Sequence, residues 1–243
     1  MSEKNSTKRK NSAVANYFKE IIYGGIDGIV TTFAVVAGFF GAAFSTDTTA
    51  QISFMVVLLF GLANLFADAA SMGLGNFLSV RSEKDLYYSK RKEEGRAIVE
   101  NTEIERQKTI TLLQEKDFSD QDAQTLANLY TKNNSYWVDF LMQHERELSD
   151  PRGEKEIFTG LATFFSFMVF GAIPLLPFIL QKEGDALTAF LLSIVGTFAA
   201  LTALGLLKWR AIGTRFWSSL LEVVLVGGVA AVLAFVVGSF FSI

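Results

Sequence analysis

The chain has 243 residues, half of them hydrophobic and 23 of them phenylalanine, with a mean hydropathy of +0.32 and a formal net charge of −3. This is too apolar for an ordinary soluble domain, and the segregation of charge into one central stretch excludes a single global core. The absence of cysteine excludes disulfides, zinc–thiolate sites and thiol catalysis, and the single histidine, His144, excludes a multi-histidine metal centre within one chain.

Residues 1–20 are polar and basic and lack the short apolar run and cleavage site of a signal peptide. Five apolar runs follow, at 21–44, 51–79, 157–180, 186–207 and 217–241. Each is long enough to cross about 30 Å of hydrocarbon. Lysine and arginine set the orientation. Five lie in residues 1–20, 13 in residues 81–156, and Lys208, Arg210 and Arg215 precede the last run, while the other two loops hold only Lys182. Basic residues stay on the cytoplasmic side, so the N-terminal segment, the 81–156 insert and the last loop are expected to be cytoplasmic. The expected fold is an all-α integral membrane protein of five transmembrane helices, with a small helical cytoplasmic domain inserted between helices 2 and 3. Its organisation is an N-terminal segment (1–20), helices 1–2 (21–80), the insert (81–156) and helices 3–5 (157–243).

Within the insert, "KDLYYSKRKEEGRAIVENTEIERQKTITLLQEK" extends the second membrane helix, with a break expected near Gly95. Ser119 followed by Asp122 reads as an N-cap with a capping-box-like partner. Trp137, Val138, Leu141 and Leu148 share one side of a further helix by their spacing. Three helices are expected in all. With so few apolar positions their core is marginal, and the insert is expected to need the membrane domain, a metal or a second copy. In the third run, Pro174 and Pro177 predict a bend.

Three acids fall inside apolar runs: Asp27, Asp68 and Glu222. A carboxylate at mid-bilayer depth costs about 2.5–3.5 kcal/mol on insertion scales, and such a residue marks a functional site by default. No lysine or arginine lies in the interior of any run, so no cation partner is expected for them. Asn64, Asp68, Met72 and Asn76 follow at intervals of four, a slowly drifting helical stripe of amide oxygen, carboxylate, thioether and amide. Ala63, Ala67, Ala69, Ala70, Ser71, Gly73 and Gly75 flank it, and small residues let membrane helices approach closely. A mixed oxygen–sulfur set suits Fe²⁺ or Mn²⁺ better than Mg²⁺ or Ca²⁺. Protons compete with metal for such carboxylates, which gives a physical route to metal–proton exchange.

The H-E-x-x-H, G-x-S-x-G and phosphate-loop signatures of hydrolytic enzymes are missing. An aspartyl-protease pair of Asp27 with Asp68 is the remaining enzymatic arrangement, and the protein is expected not to be an enzyme.

The stretches "YGGIDGIVTTFAVVAGFFGA", "GLANLFADAASMGLGNFLSVRSEKD", "GAIPLLPF" and "LEVVLVGGVAAVLAFVVG" resemble the vacuolar iron transporter family, and the likeness covers nearly the whole chain. The resemblance implies a homodimer in the lipid bilayer that moves Fe²⁺, often also Mn²⁺, out of the cytosol in exchange for protons. Its membrane would be the vacuolar one in plants and fungi and the plasma (inner) membrane in bacteria. No prosthetic group and no nucleic acid are expected. The family's translocation residues fall on Asp27 and Met72. The plant members' glutamate position is Asn64 here, with Asp68 one turn later able to replace its charge. The family's insert binds metal through two Glu-x-x-Glu pairs and a Met-x-x-x-Glu. Here the second pair reads Glu103-x-x-Arg106, Glu93, Glu94 and Glu100 lie near the first, and the last motif reads Leu141-x-x-x-Glu145 beside Met142 and His144. Candidate insert ligands are therefore Glu94, Glu100, Glu103, Glu145 and Met142. Glu83 would attract metal at the cytoplasmic mouth, and Glu222 and His144 are further candidates. The competing reading is a membrane-embedded metal sensor or scaffold without transport.

Overall fold

A computed structural model describes residues 2–44, 54–180, 186–213 and 216–240. The loops at 45–50 and 181–185, with Asp47, Lys182, Glu183 and Asp185, lie outside the described residues, as does Arg215. The described chain is helical and without strands: α1 (Ser2–Phe44), α2 (Phe54–Glu100), α3 (Thr102–Gln114), α4 (Asp120–Tyr130), α5 (Asn134–His144), α6 (Glu156–Gly171), α7 (Leu176–Leu180), α8 (Ala186–Ile212) and α9 (Phe216–Phe240). Five helical stretches are long and apolar enough to cross a membrane: Tyr17–Ala42, Met55–Glu100, Glu156–Leu180, Leu187–Arg210 and Phe216–Phe240. At 1.5 Å per residue α2 is about 70 Å long, more than twice the hydrocarbon thickness, so only its apolar first half fits within the bilayer.

The chain divides into two compact units. The first comprises Met1–Phe77 and Lys155–Ile243, the second Leu78–Glu154. In the first unit the core gathers Phe33, Val36, Phe40, Val57, Leu65, Ala69, Phe167, Leu175 and Phe178, all buried. Phenylalanine supplies much of it, with the Phe190 ring stacked 4.2 Å from that of Phe40. Glycine brings α1 against α6. A Cβ on Gly24 would lie 2.8 Å from the Thr163 carbonyl oxygen, and one on Gly28 would lie 2.5 Å from that of Phe167. Both glycines flank Asp27, so this close seam fixes the side of α1 on which the acid stands.

The third span bends as its prolines predict. α6 ends at Gly171, a 3₁₀ turn covers Ile173–Leu175, and α7 resumes the path. The buried Ser193 hydroxyl donates to the Pro174 carbonyl at 2.7 Å, satisfying an acceptor released by the bend.

The second unit has a core of Tyr87, Ile98, Trp137, Val138, Leu141 and Met142, extended by Ile110, Leu113, Ala123 and Ala127. Trp137, Val138 and Leu141 are buried on one side of α5, as the spacing predicts, while Leu148 packs on them from beyond the helix, which ends at His144. Ser119 caps α4, accepting from the Asp122 N–H at 3.2 Å and donating to its carboxylate at 2.7 Å.

Helix boundaries differ from expectation: α1 begins at Ser2 and takes in the segment expected to be separate. α2 runs through Gly95 without a break and the helix turns at Asn101 instead, where φ is −131° and ψ 43°. One glycine costs a helix only about 1 kcal/mol relative to alanine, too little to interrupt a long one. The Asn101 carbonyl still accepts from the Glu105 N–H, so the turn leaves the backbone paired. In the first unit, α8 continues through Lys208 and Arg210, which the sequence had assigned to a loop. Cations favour a helix C-terminus, and Gly213 at φ +72° ends it, donating to the Trp209 carbonyl at 3.0 Å.

Candidate functional site

Two groups of acids stand out, one in each unit. In the first, Asn64, Asp68, Met72 and Asn76 all lie half-buried along α2, beside the fully buried row of Gly61, Leu65, Ala69 and Gly73. The stripe therefore borders the packed face of the helix. Asn64 Nδ2 donates to Asp68 Oδ2 at 2.7 Å, so the amide orients the carboxylate. Asp27 on α1 is half-buried and feels the charge of Asp68. The Thr31 hydroxyl donates to the Asp27 backbone carbonyl at 2.8 Å, leaving the carboxylate uncommitted by that bond. Met72, one turn after Asp68 on α2, packs against the main core cluster. Among the described residues, no ion pair involves Asp27 or Asp68.

The stripe ends at a residue that sequence reasoning missed. Asn76 Nδ2 donates to Glu20 Oε2 at 2.5 Å and to Thr163 Oγ1 at 2.7 Å, and the Thr163 hydroxyl lies 3.1 Å from the same glutamate oxygen. Glu20 had been assigned to the polar N-terminal segment. It lies inside α1, seven residues before Asp27, hence two turns away on the same face. That spacing was the available signal. A groove of about 390 Å³ between α2 and α6 is walled by apolar groups such as Leu74, Phe77, Leu161 and Phe164, which excludes it as an ion site.

Glu222 does not belong with these acids. Lys208 Nζ pairs with it at 2.6 Å and the Ser218 hydroxyl donates to it at 3.0 Å, on an exposed surface. The expectation of no cation partner fails here because α8 carries Lys208 further along than the apolar run suggested. The pair ties α8 to α9.

In the second unit, Glu94 of α2, Glu105 of α3 and Glu145 at the end of α5 converge, each offering a carboxylate oxygen within 4.8 Å of the others. Glu94 and Glu105 are only 1% and 4% exposed. One oxygen of each of the three acids is buried without a hydrogen-bond partner. Arg146 Nε meets Glu94 Oε2 at 3.2 Å, and Lys108 Nζ meets Glu105 at 2.9 Å and Glu145 at 3.3 Å. Three unpartnered buried carboxylate oxygens from separate helices form a hard-ligand set suited to a cation.

This cluster contains Glu94 and Glu145 of the expected ligands. Glu100 and Glu103 are exposed and outside it, and Glu103 is bound to its neighbour Arg106 at 2.6 Å. The turn at Asn101 puts Glu105, not Glu103, on the inward stripe with Thr109 and Leu113. An acid in register with the apolar positions of an amphipathic helix was the sign of it. Met142 is fully buried in the hydrophobic core and serves packing there. His144 is exposed, its ring against Phe140, and Glu83 is exposed and accepts from the Ser79 hydroxyl.

Comparison with known proteins agrees on one family. The model of the VIT family matches residues 18–239. A vacuolar iron transporter from Toxoplasma gondii is 35% identical over 93% of this chain and 74% of its own length. Vacuolar iron transporter 1 from Arabidopsis thaliana is 30% identical over 93% of this chain and 86% of its own, and a vacuolar iron transporter from Plasmodium falciparum is 31% identical over 90% and 80%. Five membrane-length helices, a matched stretch that takes in nearly all of them and these likenesses together make the chain a multi-pass membrane protein that belongs to the VIT family.

Proposed function

We propose that this protein moves a divalent transition metal, Fe²⁺ foremost and Mn²⁺ with it, out of the cytosol in exchange for protons. The observation that carries this reading is the pair Asp27 and Asp68, near one another within apolar helices, with Met72 one turn from Asp68 and, among the described residues, no basic residue paired to either acid. Two carboxylates and one divalent ion are charge-balanced, and the thioether favours a softer metal than Mg²⁺. Metal binds only the deprotonated acids, so loading releases protons and unloading takes them up. The relatives' names as vacuolar iron transporters support iron as cargo. The lysines and arginines of the N-terminal segment and of the insert support a cytoplasmic loading side, with the vacuolar membrane as the site in a plant or fungal cell and the plasma membrane in a bacterium.

Within the path, Asp27 and Met72 would be the main ligands, with Asp68 and Asn64 supporting. Glu20 and Asn76 stand two turns and one turn further toward the cytoplasmic end. The acidic cluster of Glu94, Glu105 and Glu145 would hold metal on the way in. A second copy fits the exposed row of Ala63, Ala67, Ser71 and Gly75 on α2, small residues that permit close helix packing.

The test is Fe²⁺ flux into proteoliposomes under an imposed proton gradient. Asp27→Asn and Met72→Ala are each expected to cut flux at least about tenfold, as loss of a metal ligand or its support does. Flux undiminished in both variants overturns the assignment. The unpartnered oxygens of the insert favour a second reading, a metal sensor. In that case the intact protein would bind metal yet show no flux.

A further inference from the structure

We propose that Lys108 is a tethered cation that occupies the acidic cluster of the second unit and is displaced when a divalent transition metal binds there. The proposal rests on the insert's metal-binding role given above and names what regulates that site.

The Lys108 ammonium lies between two of the three acids, 2.9 Å from Glu105 Oε1 and 3.3 Å from Glu145 Oε1. These are the positions from which a metal would draw its charge. The opposite oxygens, Glu105 Oε2 and Glu145 Oε2, remain buried and unpartnered, as does Glu94 Oε1. The lysine thus answers the charge of the cluster and leaves half its hydrogen-bonding capacity unmet.

Charge balance points the same way. Three carboxylates against Lys108 and Arg146 leave one negative charge. A divalent ion added beside both cations would leave one positive charge. A divalent ion that replaces Lys108 leaves the cluster neutral with Arg146 still on Glu94. Lys108 is free to leave, because its side chain is 43% exposed and its stem can swing to water. Arg146 is held to Glu94 through two of its nitrogens, a fork that binds more rigidly than an ammonium.

The experiment uses the full chain in detergent and titrates Mn²⁺, following the loss of the free-ion paramagnetic resonance signal. Lys108→Gln is expected to tighten the insert's Mn²⁺ binding about tenfold, since it removes a competing charge within contact distance. Lys108→Arg keeps the charge and is expected to bind like the parent. Adding Glu94→Gln to Lys108→Gln is expected to abolish the gain, which separates this cluster from the membrane path. Thermal unfolding supplies a second readout: without metal Lys108→Gln melts lower than the parent, and Mn²⁺ raises it by more. Equal or weaker Mn²⁺ binding by Lys108→Gln overturns the proposal. So does tightening by Lys108→Arg of the same size, or tightening that survives Glu94→Gln. Such a result alongside normal proton-driven flux leaves the transport reading standing, while absent flux with the expected Mn²⁺ shifts removes transport and keeps the tether.

Discussion

Asp68 shows what one residue in a membrane helix has to justify. Its charge is costly, its only described side-chain partner is the neutral Asn64 amide, and it stands near a second acid. Asp68→Asn keeps an acceptor for Asn64 and removes the charge. Fe²⁺ flux is expected to fall about tenfold or more at unchanged protein yield, the usual cost of disturbing a metal's ligand shell. Unchanged flux would make Asp68 a packing residue. Glu20 poses a milder case, because Asn76 and Thr163 already occupy one of its oxygens. Glu20→Gln preserves an acceptor there, and is expected to raise the Fe²⁺ concentration for half-maximal flux severalfold while leaving the maximal rate near that of the parent. Identical saturation curves would make the contact purely structural. Asp27 and Asp68 stood out in the sequence because acids in apolar runs are expensive and rare, and Met72 because it follows Asp68 by one helical turn. Glu20 and Glu105 were missed, although helical spacing carried a signal for each. One sits where a polar segment and an apolar run share a single helix, and the other is turned inward by an Asn101 kink that no residue pattern announced.

At the scale of elements, glycine has opposite meanings in two helices. Gly28 of α1 meets the backbone of α6, and a Cβ there would fall 2.5 Å from the Phe167 oxygen. Backbone cannot yield as a flexible side chain does, so Gly28→Ala is expected to destabilise the first unit by about 1–3 kcal/mol, the range of overpacked cores. Flux should fall with it, because Asp27 is the adjoining residue on the same seam. Gly95 of α2 has nothing within 4 Å of a built Cβ. Gly95→Ala is expected to stabilise that helix by up to about 1 kcal/mol through propensity alone. Thermal unfolding of the two variants in detergent checks both, and equal shifts would show that the α1–α6 approach is looser than described. The proline bend and the Ser119 cap were readable because each follows from one residue's own chemistry. The end of α8 was not, since an apolar run marks where lipid stops and not where the hydrogen-bond ladder stops.

At the scale of the whole molecule, the number of membrane-length helices follows from composition and length, because lipid demands about 20 apolar residues in every helical span. The division into two units follows from the same segregation of charge. Orientation is a separate physical question, since helix geometry is the same whichever way the chain is threaded. Here it rests on the bias of lysine and arginine toward residues 1–20, 81–156 and 208–215. The cysteine-free chain makes that bias directly testable, because any introduced thiol is unique. Gln121→Cys, exposed on α4, and Thr48→Cys, between the first two apolar runs, are expected on opposite sides of the membrane. A membrane-impermeant maleimide applied to intact cells carrying the protein in their plasma membrane is expected to label Thr48→Cys and to reach Gln121→Cys only after permeabilisation. The reverse pattern would put the acidic cluster on the outer face. It would then meet metal outside the cell, and the proposed export from the cytosol would lose its loading side.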